Sequence, residues 1–364
     1  MTTELTKAAI AILRANDRGD HIVPTAADPR AAQRNWDSSL AAFGLAQFHE
    51  DRAWTEIETL LAGQEPDGMV PHLLPHGGEP GDAAGSAAAS GLTHAPVATT
   101  AARYLFERFG VRRSRPRLRI LAPKLLAWHR WFAAARDPEG TGLAAITHPE
   151  ESGPEESGMA ARDAAAAPFR VADIGFNVIL QRANRDLRFL LDMIDDRAGM
   201  VEVDRMIAGT RAALEACWDK ADGAYHSRDA ASGQPIRHPG IGGLLPLYAD
   251  PALAARHPAL PARLENWLDQ AAIAVPSFEP GRPEFDPGRP WRGPVSLPVN
   301  WMLYDGIRRA GRRDLAARIR RDSMAVAARS GFREYFDPIT GEGIGRADVS
   351  STAAMVLLFA GLED

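Results

Sequence analysis

The chain has 364 residues, 45% of them hydrophobic and 24% charged, a balance that excludes wholesale disorder and supplies enough apolar side chain for a large core. Its 42 Lys and Arg stand against 47 Asp and Glu, and the net charge of -5 is spread along the chain. No basic face marks a nucleic-acid partner. Length alone leaves open two or three domains or one large closed architecture.

The amino-terminal MTTELTKAAIAILRANDRGD breaks its one short apolar patch with charges and has no cleavage-site pattern. It reads as a helix near Lys7 to Asn16, not as an export signal. Apolar positions then recur at three- and four-residue spacing over Leu40 to His49, Trp54 to Ala62, Pro96 to Phe109, Pro116 to Ala135, Phe176 to Asp195 and Asp204 to Trp218. The same spacing continues over Leu253 to Ala274, Trp301 to Ala310, Asp314 to Ser330 and Thr352 to Leu362. Each window predicts a helix. No comparable series of alternating strand patterns exists, so the expected fold class is all-α. No window approaches the ~18 uninterrupted apolar residues of a membrane span. The expectation is a soluble, cytoplasmic protein with no membrane partner. Cys217, the one cysteine, cannot form an internal disulfide and reads as a buried small hydrophobe beside Trp218.

The connections carry more information than the helices. Glu65 to Gly91, Gly140 to Ala172, Asp219 to Pro246 and Pro276 to Pro298 are long and hold aromatic, acidic and proline residues where short polar links would suffice. Sites are usually built on such loops. Gly77 to Gly91, rich in Gly and Ala, is the stretch whose composition predicts mobility. No Pro-, Ser- or charge-rich linker divides the chain, which predicts a single domain over residues 1–364.

Four segments stand out. They are Asn35-Trp36-Asp37-Ser38-Ser39 with Pro66-Asp67-Gly68-Met69-Val70-Pro71-His72; His148-Pro149-Glu150-Glu151-Ser152-Gly153-Pro154-Glu155-Glu156-Ser157; Trp291-Arg292-Gly293-Pro294-Val295 with Asn300-Trp301; and Gly331-Phe332-Arg333-Glu334-Tyr335-Phe336-Asp337-Pro338 with Thr340-Gly341-Glu342-Gly343. In this order and spacing, over nearly the whole chain, they resemble the inverting glycosidases of glycoside hydrolase family 63. The likeness is to its bacterial α-glucosidase, mannosylglycerate and glucosylglycerate hydrolase branch, and more distantly to the trehalases. The resemblance implies an (α/α)6 toroid, a ring of about a dozen inner and outer helices with the site at one mouth. That agrees with the independent count of helical windows.

An inverting glycosidase needs one carboxylic acid to protonate the departing oxygen and one carboxylate to activate water on the opposite face, roughly 6.5–9.5 Å apart. The resemblance makes Glu334, in the Glu-Tyr pair, the catalytic base. The competing reading of that residue alone is a surface glutamate at a turn. The family pattern His-Pro-Trp-Glu-Ser-Gly-X-Asp-Asn-Ser, aligned on His148-Pro149 and Glu151-Ser152-Gly153, puts Glu155 at the general acid. A second register through Glu156-Ser157-Gly158 would put Ala160 there. The first matches more residues. Glu155 is one methylene longer than the aspartate it replaces, and four glutamates at 150, 151, 155 and 156 would repel one another, favouring a proton on one of them.

Sugars are gripped by flat apolar faces and by paired hydrogen-bonding groups. By resemblance Asp37 holds hydroxyls of the non-reducing sugar, Trp36 forms a wall, and Ser38, His72, His94, Glu151, Trp291, Arg292 and Trp301 complete the substrate-binding set. The residue-by-residue alternatives are a helix N-cap for Asp37 or Ser38, a core role for the tryptophans and a structural histidine. Arg292 would pair with a carboxylate near the site or fix its loop. Glu150, Ser296 and Ser351 stand where the family commonly has tryptophan, and His94 where it has an amide, so the expected pocket is wider and more polar. No metal spacing, phosphate loop or dinucleotide fingerprint is present, and no cofactor is expected. The expected partner is a small carbohydrate or glycoside. Two alternatives share the same ring: a carbohydrate-binding protein without turnover, and a non-hydrolytic enzyme of the isomerase or lyase kind.

Overall fold

The computed structural model describes residues 2–28, 32–75, 91–152 and 169–362. Helices α1 (Thr2–Ala15), α2 (Asn35–Leu45), α3 (Glu50–Ala62), α4 (Val97–Phe109) and α5 (Val111–Trp131) form the first part. They are followed by α6 (Ile174–Met193), α7 (Arg197–Glu215), the short α8 (Pro246–Ala249) and α9 (Leu253–Arg256), and α10 (Ala259–Gln270). The last helices are α11 (Leu297–Arg309), α12 (Arg313–Ser330) and α13 (Ser350–Ala360).

Packing closes these helices into a ring. In space α2 lies against α4, α4 against α6, α6 against α8, α8 against α11, α11 against α13, and α13 back against α2. Outer helices flank this inner circle: α3 on α2, α5 on α4, α7 on α6, α12 on α11 and α1 on α13. This is an (α/α)6 toroid. Sequence separates the two layers. Inner α13 is apolar on every side, and Ser350 through Phe359 are all buried, as an enclosed helix requires. Outer α12 buries only Leu315, Ala316, Ile319, Ser323, Val326 and Ala327, a stripe at helical spacing, and leaves Arg313, Arg321 and Arg329 exposed. Each fully buried Leu or Phe contributes about 1.5–3 kcal/mol. At the closing seam a Cβ on Gly44 would stand 2.6 Å from the Cα of Ala354, so only glycine lets α2 and α13 approach this closely.

Helical windows read from sequence all fall on helices, with shifted ends. The polar first turn of α2, Asn35 to Ser38, lies outside the apolar window yet is helical. The single window Leu253 to Ala274 divides at His257, whose backbone leaves the helical region because Pro258 follows it. Five helical residues of wider pitch, Phe132–Arg136, end α5. Short ladders appear where periodicity has no length to register. The first joins β1 (Ala32–Arg34) to β2 (Leu73–Pro75), pairing Gln33 with Leu74. Strands β3 (Val171–Ala172), β4 (Trp218–Asp219), β5 (Ala224–Tyr225), β6 (Ser227–Asp229) and β7 (Pro235–Ile236) follow, and β8 (Tyr335–Phe336) pairs with β9 (Gly343–Ile344). Gly77 to Gly91 lies, but for Gly91, outside the described residues. Among the described residues no helix is long and apolar enough to cross a membrane.

His129 of α5 pins three helices together. Its Nδ1 lies 2.7 Å from Asn184 Oδ1 on α6 and its Nε2 2.9 Å from Thr99 Oγ1 on α4, so the neutral ring is satisfied at both nitrogens. Burial lowers its pKa to about 4, with the Asn184 hydrogen bond opposing. An unfolded histidine titrates near 6.5, so between about pH 6.5 and 4 the unfolded chain takes up a proton that the folded chain refuses. The contribution is therefore present above that window and lost as pH falls through it. We expect denaturant unfolding to show this residue costing about 3 kcal/mol of stability by pH 4, and His129→Gln to flatten that part of the stability-versus-pH curve.

Candidate functional site

The amino-terminal ends of three inner helices converge on one mouth of the ring. Trp36 and Asp37 come from the first turn of α2, Pro298 from that of α11 and Ser351 from that of α13, and all line one cavity of about 360 Å³. The size suits a small ligand. Helix amino termini favour negative charge by about 0.3–1 kcal/mol each, which suits a mouth that carries carboxylates.

Backbone tethers set the lining. Asn35 N–H donates to His72 O (3.0 Å) and His72 N–H to Leu92 O (2.7 Å), which fixes the His72 and His94 segments to the start of α2. Val295 and Phe336 exchange two backbone hydrogen bonds (2.7 and 3.0 Å), locking the Trp291 loop to the strand that follows Glu334. Trp291 then meets Tyr335 edge to face at 5.5 Å. Its φ of 59° is left-handed, unusual for a bulky residue and held here by the surrounding packing.

Asp37 and Glu334 both face the cavity, and their surroundings drive them apart. Burial raises the Asp37 carboxyl above its ordinary range, opposed by the positive charges of Arg34 and Arg346 and by the Ser351 hydroxyl, with Glu334 adding to the rise. Burial also pushes Glu334 up, but Arg346 outweighs it and the net shift is downward. Arg346 donates to Glu334 through Nη2 (2.8 Å), Nε (3.1 Å) and its backbone N–H (3.3 Å). Asp37 does not cap α2; the cap position is Arg34, and no side chain caps it.

Across the cavity His72 and His94 lie ring to ring at 4.5 Å, with Trp36 6.0 Å from His94. Burial lowers both histidines, against the attraction of Glu150 in the case of His72, so both are neutral near pH 7. Among the described residues their buried Nδ1 atoms have no hydrogen-bond partner. Neutral imidazoles can offer a sugar hydroxyl either a donor or an acceptor. Glu150, Ser296 and Ser351, where the resemblance leads one to expect tryptophan, all line the cavity.

Four residues expected to bind substrate do not line it. Ser38 is fully buried on the far side of α2's first turn, near the enclosed carboxylate of Glu56. Trp301 packs behind the lining against Phe43 and Tyr248. Arg292 lies over the Phe278 ring, and among the described residues it forms no ion pair. Glu151 is buried with no exposed side-chain surface and faces Arg136 instead. Glu155 lies outside the described residues. In the other direction, Arg34, Tyr335 and Arg346 line the cavity, though nothing in their spacing distinguishes two arginines from the many surface arginines of this chain. Among the described residues one group with metal-ligand chemistry, Asp219, Asp222 and His226, is held by Arg237, which pairs with both aspartates, and it is not part of this lining.

A closed double ring of helices with an aromatic-walled, carboxylate-bearing cavity at the inner amino termini defines an (α/α)6-toroid glycoside hydrolase. Residues 30–352 match the family model described as "Mannosylglycerate hydrolase MGH1-like glycoside hydrolase domain". A mannosylglycerate hydrolase from Thermus thermophilus is 38% identical, with 96% of this chain and 99% of that protein covered. The alignment runs over 414 positions, more than this chain has residues, so that relative carries internal segments absent here. Mannosylglycerate hydrolase MGH2 of Selaginella moellendorffii is 35% identical over 98% of this chain and 86% of its own. The crystal structure of a family 63 mannosylglycerate hydrolase from Thermus thermophilus, in complex with Tris and D-glycerate, superposes with a TM-score of 0.89. It is 37% identical, with 97% of this chain and 99% of that chain covered. The chain belongs to the mannosylglycerate hydrolase MGH1-like family of glycoside hydrolases.

Glu151 supports the lining from behind. Its Oε1 accepts from Thr93 N–H (3.1 Å) and Arg136, and its Oε2 from Thr147 N–H (2.7 Å), tying together the segments that carry His94 and Glu150. In a Glu151→Gln variant the amide NH2 would face a donor whichever way it turned, and Arg136 would lose its counter-charge. We expect the unfolding free energy to fall by roughly 3–5 kcal/mol, read by denaturant titration.

Proposed function

We propose that this enzyme hydrolyses an α-linked glucoside or mannoside of glycerate with inversion at the anomeric carbon, Glu334 acting as general base and Glu155 as general acid. The observation that carries the reading is the held, ionised Glu334 facing the same cavity as Asp37, Trp36 and Trp291. Water would attack the anomeric carbon while Glu334 takes its proton. The glycosidic C–O bond breaks as Glu155 gives its proton to the glycerate oxygen, releasing glycerate and a sugar of opposite anomeric configuration. Glu155 follows cavity-lining Glu150 by five positions in the sequence.

Binding falls to the remaining walls. Asp37, Trp36, His72, His94 and Trp291 would hold the sugar, Asp37 and the two histidines reading hydroxyls against the two indole faces. Glycerate is chosen as the second half of the substrate because mannosylglycerate hydrolases are among the relatives that match nearly the full chain.

With mannosylglycerate and glucosylglycerate supplied side by side, rapid NMR should show the β anomer of the free sugar first. Glu334→Gln should lower kcat by about 10²–10⁴-fold while leaving substrate binding within a few-fold of wild type. An α product at early times, or an active Glu334→Gln enzyme, would overturn this reading.

A further inference from the structure

We infer that Arg346, anchored from behind by Asp28, is the positioning residue of Glu334, holding that carboxylate in one orientation toward the cavity. The inference rests on Glu334 being the base. Its observations are geometric. One residue supplies three donors to one carboxylate: Nη2 to Oε1 at 2.8 Å, Nε to Oε2 at 3.1 Å and the backbone N–H to Oε2 at 3.3 Å. Glu334 returns a backbone bond, its N–H donating to Arg346 O at 3.0 Å. Two parallel bonds from a planar guanidinium fix the carboxylate plane as a single ammonium would not.

The turn before Arg346 is built for this approach. Gly345 has φ 76°, and a Cβ there would stand 2.9 Å from Glu334 Oε2, so any larger residue would push the carboxylate off its seat. Behind the guanidinium, Asp28 Oδ2 lies 3.7 Å from Arg346 Nη1 and 3.3 Å from Arg34 Nη2. One aspartate, its side chain almost wholly enclosed, thus divides its charge between two cavity arginines.

Among the described residues, the charged groups around Glu334 are therefore Arg346 from its own loop, Arg34 from β1, Asp37 from α2 and Asp28 beneath the arginines. Glu150, His72 and His94 line the same cavity. Arg346 and Arg34 keep the base ionised to lower pH, and Asp28 moderates both. Removing the arginine and removing the aspartate must therefore act on Glu334 with opposite sign, which a merely structural role would not do.

The test is the acid limb of the kcat/KM profile, which marks protonation of the base. Arg346→Met should move that limb up by about one to three pH units, and Arg346→Lys, which keeps charge without the fork, by less. Asp28→Asn, which frees both arginines, should move it down. Circular dichroism and melting confirm that each variant is folded, and the lysine variant carries the test should the methionine variant not fold. Limbs that move the same way in Arg346→Met and Asp28→Asn overturn the inference. The Glu334 carboxylate band, taken from infrared difference spectra against Glu334→Gln, separates the two levels. If its titration shifts with opposite signs while the rate limb does not move, Glu334 is not the base although Arg346 still positions it; if neither moves, the positioning role itself fails.

Discussion

The seam that closes the ring is the constraint on which the site depends. Helices α2 and α13 come from opposite ends of the chain, and their contact is tight because Gly44 faces Ala354. Asn16, at the end of α1, adds a buried Nδ2 bond of 2.8 Å to Ser350 Oγ, spanning 334 positions of sequence. Ser350 in turn donates to Val23 O at 2.7 Å. These bonds bring the first turn of α2, which carries Asp37, beside the first turn of α13, which carries Ser351, and beside the Glu334–Arg346 loop. Loop-closure entropy of so long a span grows only slowly with length, and burial along α2 and α13 offsets it.

Once the seam is closed, the charge pattern follows from geometry. Inner helices that present their amino termini to one mouth give it a positive bias, and the carboxylates gathered there are partly compensated by that bias and by Arg34 and Arg346. Burial alone would raise both Asp37 and Glu334. Of these two acids, Glu334 receives the bidentate guanidinium, and Glu334 is the one driven down. The difference between the two acids therefore joins the deeper burial of Asp37 to the guanidinium held on Glu334, and that partner sits twelve residues further along the same β-hairpin loop.

The architecture was legible because helical periodicity survives in long elements. Outer helices such as α12 announce themselves by a buried stripe, and the all-apolar α13 by its lack of one. Cavity-lining residues were legible where a motif carried them, as with Asp37, His72, Trp291 and Glu334. Ser38, Glu151 and Trp301 sit in the same motifs but turn the other way. A helical turn points Asp37 into the cavity and its neighbour Ser38 behind it, and resemblance carries no such direction. Arg34 and Arg346 were illegible for a different reason. Each acquires meaning from Asp28 and Glu334, partners that a linear reading cannot place beside it.

Three polar positions of the lining bear on what the cavity can hold. At 150, 296 and 351 a carboxylate and two hydroxyls line it. Ser351 is engaged with Asp37, whereas Ser296, at the cap position of α11, makes no capping bond, so its hydroxyl is not consumed by the helix. Hydroxyls and a carboxylate offer a ligand hydrogen-bonding groups where flat apolar side chains would offer stacking area. Trp36 and Trp291 are the two indole walls, and the left-handed φ of Trp291 is a strain that the surrounding packing holds in place.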